Sequence, residues 1–439
     1  MNHTGSIDQR PSPNPWRVAT ICGIASYVDA STIVTTGIAL VLYQQSIGVT
    51  PNQIGILSGV LTLGIGLGAL LGGRLGDRFG RRNVFTVTMA LIVIGIAFLV
   101  FATSFYLLLA GIVLAGFGTG ADLPVSLATI SEAATDKNRG AMIGLSAVLW
   151  SVGVLVSVTL AIFAGGWGHL GGQVLFGQIG VVTFIVLICR IGIPESQMWS
   201  EAREERLGGA HTIRADKARA RDLLKAPYFV PFAVLLVFYA LTNVASNTNG
   251  QFGTYLAVNV AHISVQMNSL IGFLTLPIYI VLGLVFMRIV DRKNRMLYFT
   301  VGSVSLILAY MVPAAFGFTI TTIIIMNVLS AIGGAFAFEG ILKVWAQESF
   351  PTLLRSSAQG AIFAIGRTAA AGLAFFTPAI AAASFQGLYW GLTIIVAIGL
   401  TAAWVTFRRV ERTQFTIEQE LEPEIESPRD VPGTAVLQE

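Results

Sequence analysis

The chain is 439 residues long, 54% hydrophobic and only 11% charged, with a mean hydropathy of +0.74. A soluble domain carries about 25% charged residues, so this chain lacks the polar surface to fold in water. Its net charge of +4 and pI near 9.1 would suit a nucleic-acid partner, but the placement of the basic residues argues against one.

Apolar runs of about 20 residues cross ~30 Å of hydrocarbon. About twelve such runs recur, near 17–43, 52–73, 83–102, 106–130, 140–164, 172–193, 228–258, 266–289, 296–315, 318–347, 357–382 and 387–407. They predict an all-α membrane protein with twelve transmembrane helices. Residues 1–16 are polar and proline-rich and the first apolar run is long enough to span, so no cleaved leader is expected. Cys22 and Cys189 lie near or within spans and read as small apolar packers.

Lys and Arg cluster on alternate connections. Arg74, Arg78, Arg81 and Arg82 follow span 2, Arg190 closes span 6, and Arg288, Arg292, Lys293 and Arg295 surround the link after span 8. The loops 44–51, 164–172 and 259–265 contain none. This bias places the basic loops and both termini in the cytoplasm of a cell (inner) membrane protein.

The runs divide into a first six-helix bundle (1–194), a charged cytoplasmic linker (195–227), a second six-helix bundle (228–410) and a Glu- and Pro-rich tail (411–439) expected to be disordered. The two bundles carry matching signals. Asp77-Arg78 after span 2 answers Asp291-Arg292 after span 8, and the spacing Glu132 to Arg139 answers Glu348 to Arg355. Such an internal repeat is a common transporter design, with substrate held between the halves near the bilayer midplane. In span 2, Gly64, Gly68, Gly72 and Gly76 recur every fourth residue and form a bare face that admits another helix closely.

Five charged residues interrupt otherwise apolar spans: Asp29, Asp122, Glu339, Lys343 and Arg367. Charge at membrane depth is costly and marks a bundle interior or watery cavity. Burial disfavours a carboxylate, so Asp29, with Asp122 second, is the candidate for loading and releasing a proton. Asp122 is alternatively a partner for Arg367 or Lys343, or part of a purely structural pair. Glu339 and Lys343 are spaced i,i+4, which suits either an intrahelical ion pair or substrate contact. Arg367 stays charged and holds either an acid or substrate. Three acids against two bases become neutral with one bound proton, which suits an uncharged substrate.

In span 7, Tyr239, Asn243, Asn247, Gln251 and Tyr255 recur every fourth residue. Amides donate and accept, as sugar and polyol hydroxyls require, although the same residues serve as polar glue between helices. Asn243, Asn247, Gln251, Tyr255, Glu339, Lys343 and Arg367 are therefore the candidate substrate-binding residues.

The segment GGRLGDRFGRR (72–82) resembles the signature between spans 2 and 3 of the major facilitator superfamily. SEAATDKNRG (131–140) and QESFPTLLRSS (347–357) resemble the Glu-to-Arg motifs of its sugar porters, and IPESQMW (193–199) is similar to their PESPRW segment. ADLPVSLATISE (121–132) is instead similar to phosphate and metabolite:proton symporters, which carry an acid where Asp122 stands. The resemblance implies two pseudo-symmetric six-helix bundles, alternating access, and a span 1 proton acid at Asp29. It also implies cytoplasmic gating by Asp77, Arg78, Arg81, Arg82, Glu132, Arg139, Asp291, Arg292, Glu348 and Arg355. The sequence departs from sugar porters at Ile112, where they place an arginine, in lacking their paired span 7 glutamines, and at Lys343, where they keep a tryptophan.

No nucleotide-binding Gly-rich loop, His-Glu-x-x-His or Gly-x-Ser-x-Gly occurs, so no enzyme activity, cofactor or metal is expected. The function expected is proton-coupled uptake of a sugar or polyol, inositol-like, by a monomer in the lipid bilayer. The runner-up is symport of an organic anion or phosphate, and a third reading is a transport-dead sensor or scaffold.

Overall fold

The computed structural model describes residues 14–134, 139–191, 195, 223–289, 294–350 and 352–408. Thirteen α-helices run through them: α1 (Pro15–Ile47), α2 (Pro51–Phe79), α3 (Arg81–Val100), α4 (Phe105–Ala133), α5 (Arg139–Ala164), α6 (His169–Ile191), α7 (Phe229–Asn259), α8 (Val265–Ile289), α9 (Arg295–Phe316), α10 (Ile320–Phe336), α11 (Glu339–Ser349), α12 (Thr352–Ala383) and α13 (Phe385–Phe407). They supply 12 spans long and apolar enough to cross a membrane. Most of the charged linker, the tail, and Asp291 and Arg292 lie outside the described residues.

Local chemistry sets the turns on the face whose loops carry no basic residue, called here the far face. Gly48 closes α1 in the left-handed region at φ 79°, and Thr50 with Gln53 forms a capping box that starts α2. A second capping box, Thr319 with Thr322, starts α10, and Ser384 caps α13. Each cap satisfies backbone donors that a helix end leaves open.

Span 10 departs from the expected single helix. It breaks at Ala337–Phe338 into α10 and α11, with Phe338 at φ −134°, ψ −128°. Backbone that leaves the helix at membrane depth is tolerated where it is buried or lines a cavity. Here Phe336 and Ala337 press on Gly302 of α9, whose missing side chain makes room for them.

Within the first bundle, α2 and α4 meet through the expected glycine face. A Cβ on Gly68 would collide with the Phe117 carbonyl, and one on Gly72 with that of Ala121. From the other side, a Cβ on Gly120 would strike the Ile65 backbone. Small residues thus replace side-chain packing with backbone contact, the usual means of joining helices in lipid.

The bundles themselves meet on the far half of the molecule. Gln44 of α1 and Asn259 of α7 exchange two side-chain amide hydrogen bonds of 3.2 Å each. A Cβ on Gly37 would lie 2.6 Å from the Gln251 carbonyl oxygen, and one on Gly55 would lie 2.5 Å from that of Phe375. Toward the basic face, Gly73 of α2, Gly144 of α5 and Gly360 of α12 face open space. The bundles are in direct contact on the far half.

Candidate transport site

Asp29 sits near the middle of α1 and is 2% exposed. Its nearest opposite charge comes from the other bundle: Arg367 Nη1 of α12 lies 3.8 Å from Asp29 Oδ1. That oxygen makes no hydrogen bond, and the Trp150 indole approaches the same carboxyl from α5. Arg367 is flanked in turn by Tyr239 of α7 and by Glu339. It lies against Gly66 of α2, where even a methyl group would sit 3.5 Å from its Cβ.

Glu339 opens α11, so its carboxylate occupies the first turn beside the positive end of that half-helix. Lys343 one turn on closes an i,i+4 pair at 2.8 Å and lies 6.0 Å from the Phe363 ring centre. The Glu339 and Lys343 side chains are 44% and 52% exposed, so neither is packed away inside the second bundle.

On α7, Gln251 Nε2 donates to Thr62 Oγ1 of α2 at 2.6 Å and to Asn247 Oδ1 at 3.1 Å. Asn243 donates to the Tyr239 hydroxyl at 3.3 Å. Asn247 Nδ2 and Gln251 Oε1 are buried without a partner, and they stand ~12 and ~18 Å along α7 from Tyr239, the residue that flanks Arg367. Tyr255 is buried with its ring edge-on to Phe252. The span 7 stripe therefore contributes both glue between bundles and free hydrogen-bonding groups.

Asp122 does not join this centre. Arg190 of α6 donates to Asp122 Oδ1 at 2.6 Å and to Ser126 Oγ at 2.9 Å, and reaches the Cys22 carbonyl at 3.2 Å. Thr88 and Ser126 hydroxyls complete the carboxylate's shell at 3.1 and 3.2 Å, and the guanidinium lies over the Phe85 ring at 4.4 Å. Arg190, expected at the cytoplasmic end of span 6, is instead 2% exposed. Four helices of the first bundle, α1, α3, α4 and α6, supply the polar contacts of this buried pair. The pairing of Asp122 with Arg367 or Lys343 considered from sequence is not the one found.

Toward the basic face, each bundle carries one matching ion pair. Arg81 Nη2 meets Glu132 Oε1 at 3.0 Å, and Arg295 Nη1 meets Glu348 Oε1 at 2.5 Å. Glu195 accepts from the backbone N–H groups of Arg81 and Arg82 at the start of α3, while Arg82 Nη2 donates to the Ile191 carbonyl ending α6. The C-terminal partner of Glu348 is Arg295, which sequence reasoning noted beside Asp291-Arg292 without assigning it a role. Arg78 lies against Phe79. The side chains of Asp77, Arg139 and Arg355 lie outside the described residues.

This architecture has known counterparts. Residues 19–375 match the model of the Major Facilitator Superfamily, and the chain belongs to that family of membrane transporters. It is 31% identical over 364 residues to the minor myo-inositol transporter IolF of Bacillus subtilis (strain 168), covering 81% of this chain and 82% of that one. The inner membrane metabolite transport protein YgcS of Escherichia coli (strain K12) is 25% identical over 414 residues, 89% of either chain. Among solved structures, a D-xylose-proton symporter superposes with a TM-score of 0.71 at 17% identity, covering 88% of this chain and 96% of its own. The inward open xylose transporter XylE from E. coli gives 0.71 at 16% identity, covering 92% and 98%. The fold is accordingly twelve transmembrane helices in two pseudo-symmetric six-helix bundles, in a multi-pass membrane protein.

Proposed function

We propose that this transporter takes up an uncharged sugar or polyol, inositol-like, together with a proton, by alternating access. The observation that carries the reading is the Asp29–Arg367 approach at 3.8 Å across the bundle boundary. Ionised, Asp29 attracts Arg367 and favours bundles held together at the centre. Protonated, it releases the guanidinium, and the closing force between α1 and α12 falls. A carboxyl whose proton decides which mouth opens is the minimum that coupling requires. Asp122 already has a cation and two hydroxyls inside one bundle, so it suits a structural role better than coupling.

Substrate contact falls to the unpartnered Asn247 and Gln251 groups, with Asn243, Tyr255, Glu339, Lys343 and Arg367 around them. The relationship to a myo-inositol transporter supports a polyol. In this reading both termini and the basic loops lie on the cytoplasmic side of the cell membrane, the protein works as a monomer, and it performs no enzymatic step. The ion pairs of Arg81 and Arg295 serve gating.

One observation favours the organic-anion reading. With Asp122 neutralised by Arg190, the central groups Asp29, Glu339, Lys343 and Arg367 sum to zero, and one proton makes them positive rather than neutral. Reconstitution in liposomes under an imposed pH gradient, offering labelled myo-inositol, D-xylose, carboxylates and phosphate, decides between the two. Accumulation of neutral solutes alone supports the polyol; accumulation of anions alone replaces it.

A further inference from the structure

A second polar cavity lies between the bundles, on the far-face side of the centre. Its volume is about 140 Å³, room for ~5 waters at their liquid share of space. The first bundle contributes Val34 of α1 and Val158 of α5. These are apolar, and Val34 lies five residues, ~7 Å along the helix, beyond Asp29. The second bundle contributes Asn249 and Thr254 of α7, Asn268 and Ser269 of α8, and Asn327 of α10. Asn249 projects from the side of α7 opposite Asn247, whereas Thr254 stands two turns beyond Asn247 on the same face.

Two lining atoms have no protein partner. Ser269, 3% exposed, leaves its hydroxyl unbonded, as does the buried Asn249 side-chain oxygen. Asn268 Nδ2 donates to Thr254 Oγ1 at 3.1 Å, which orients both side chains. A buried polar group without a partner is costly, and more so where no water can reach it, so this wall gains from an occupant that offers hydrogen bonds. No lining residue is charged, which excludes an ionic one. Amides and hydroxyls on one wall and apolar groups on the other suit a compact solute with several hydroxyls and a hydrocarbon frame.

We propose that this cavity is a far-face subsite that holds an uncharged polyhydroxyl solute on its way to the Asp29–Arg367 centre. It rests on the polyol reading above. Its position lets the far mouth select for hydroxyls before the solute meets any charge.

The test is zero-trans uptake in oriented proteoliposomes with myo-inositol and D-xylose as probes, comparing wild type with Ser269→Val, Asn327→Leu and Ser269→Thr. Loss of a hydrogen bond predicts a KM raised about 3- to 10-fold for entry from the far face. Entry from the basic face keeps its KM, and Ser269→Thr, which retains the hydroxyl, restores far-face entry. Monodisperse elution and an unchanged melting temperature guard against misfolding. An unmoved KM means that the cavity holds water only, and equal changes from both faces mean helix glue; either overturns the subsite alone. Failure of the wild type to transport either probe overturns the polyol reading and the subsite together.

Discussion

Arg367 of α12 stands 3.8 Å from Asp29 of α1, and the two belong to different bundles. Replacing the acid removes the charge that faces Arg367 across the bundle boundary. Asp29→Asn is expected to abolish accumulation driven by a pH gradient while exchange of substrate across the membrane persists. Paired measurements of accumulation and counterflow in proteoliposomes check this, and intact accumulation would discard Asp29 as the coupling acid.

The Arg190–Asp122 pair makes a different prediction, one of stability. Arg190→Met strands a buried carboxylate and should cost ~3–5 kcal/mol, whereas removing both charges should recover much of that loss. Thermal unfolding in detergent of Arg190→Met, Asp122→Leu and the double variant measures the cycle. Full transport by a stable Asp122→Leu protein would confirm that this acid carries no proton; stable protein with selective loss of coupling would return Asp122 to the candidates.

The glycine face of α2 separates a tolerated from an untolerated substitution. Gly68→Ala forces a methyl into the Phe117 carbonyl, while Gly73→Ala faces open space. Overpacking predicts ~1–3 kcal/mol lost at position 68, and little at 73. Melting temperatures of the two purified variants give the comparison.

Lys343 and Glu339 are about half exposed, so their pair contributes less than ~1 kcal/mol to the fold. Lys343→Gln should fold normally and keep the uptake of neutral solutes within a few-fold. A selective collapse of carboxylate or phosphate uptake in the same variant would identify an anion as the cargo.

Gln44 and Asn259 bond across the closed far face. With Cys189 replaced by Ser, the pair Gln44→Cys and Asn259→Cys should be joined by a short bifunctional thiol reagent, stopping net uptake. Gel mobility and transport before and after treatment test this. Cross-linked protein at full activity would show that the far mouth need not part there.

Much of the fold is legible in the chain because a bilayer admits few solutions, and run length gives the spans. The pairings are less legible. Asp29, Glu339, Lys343 and Arg367 do come together, but Arg190 was read as an end-of-span charge because its apolar flanks are shorter on one side. The signal available was its setting in VLICRIGI, a lone cation among residues that offer it no partner. The break in span 10 is equally hidden, since the Gly333, Gly334 and Gly340 that flank it are common in unbroken transmembrane helices too. It comes from tertiary packing against Gly302, which no local pattern encodes.

That interruption gives span 10 an articulated limb. The 11-residue segment from Glu339 to Ser349 carries central charges at one end and the Arg295 clasp at the other. A few degrees of torsion at Ala337 and Phe338 would swing this rod as a unit, since the charges near Asp29 and the clasp toward the basic face are joined by one arm ~17 Å long.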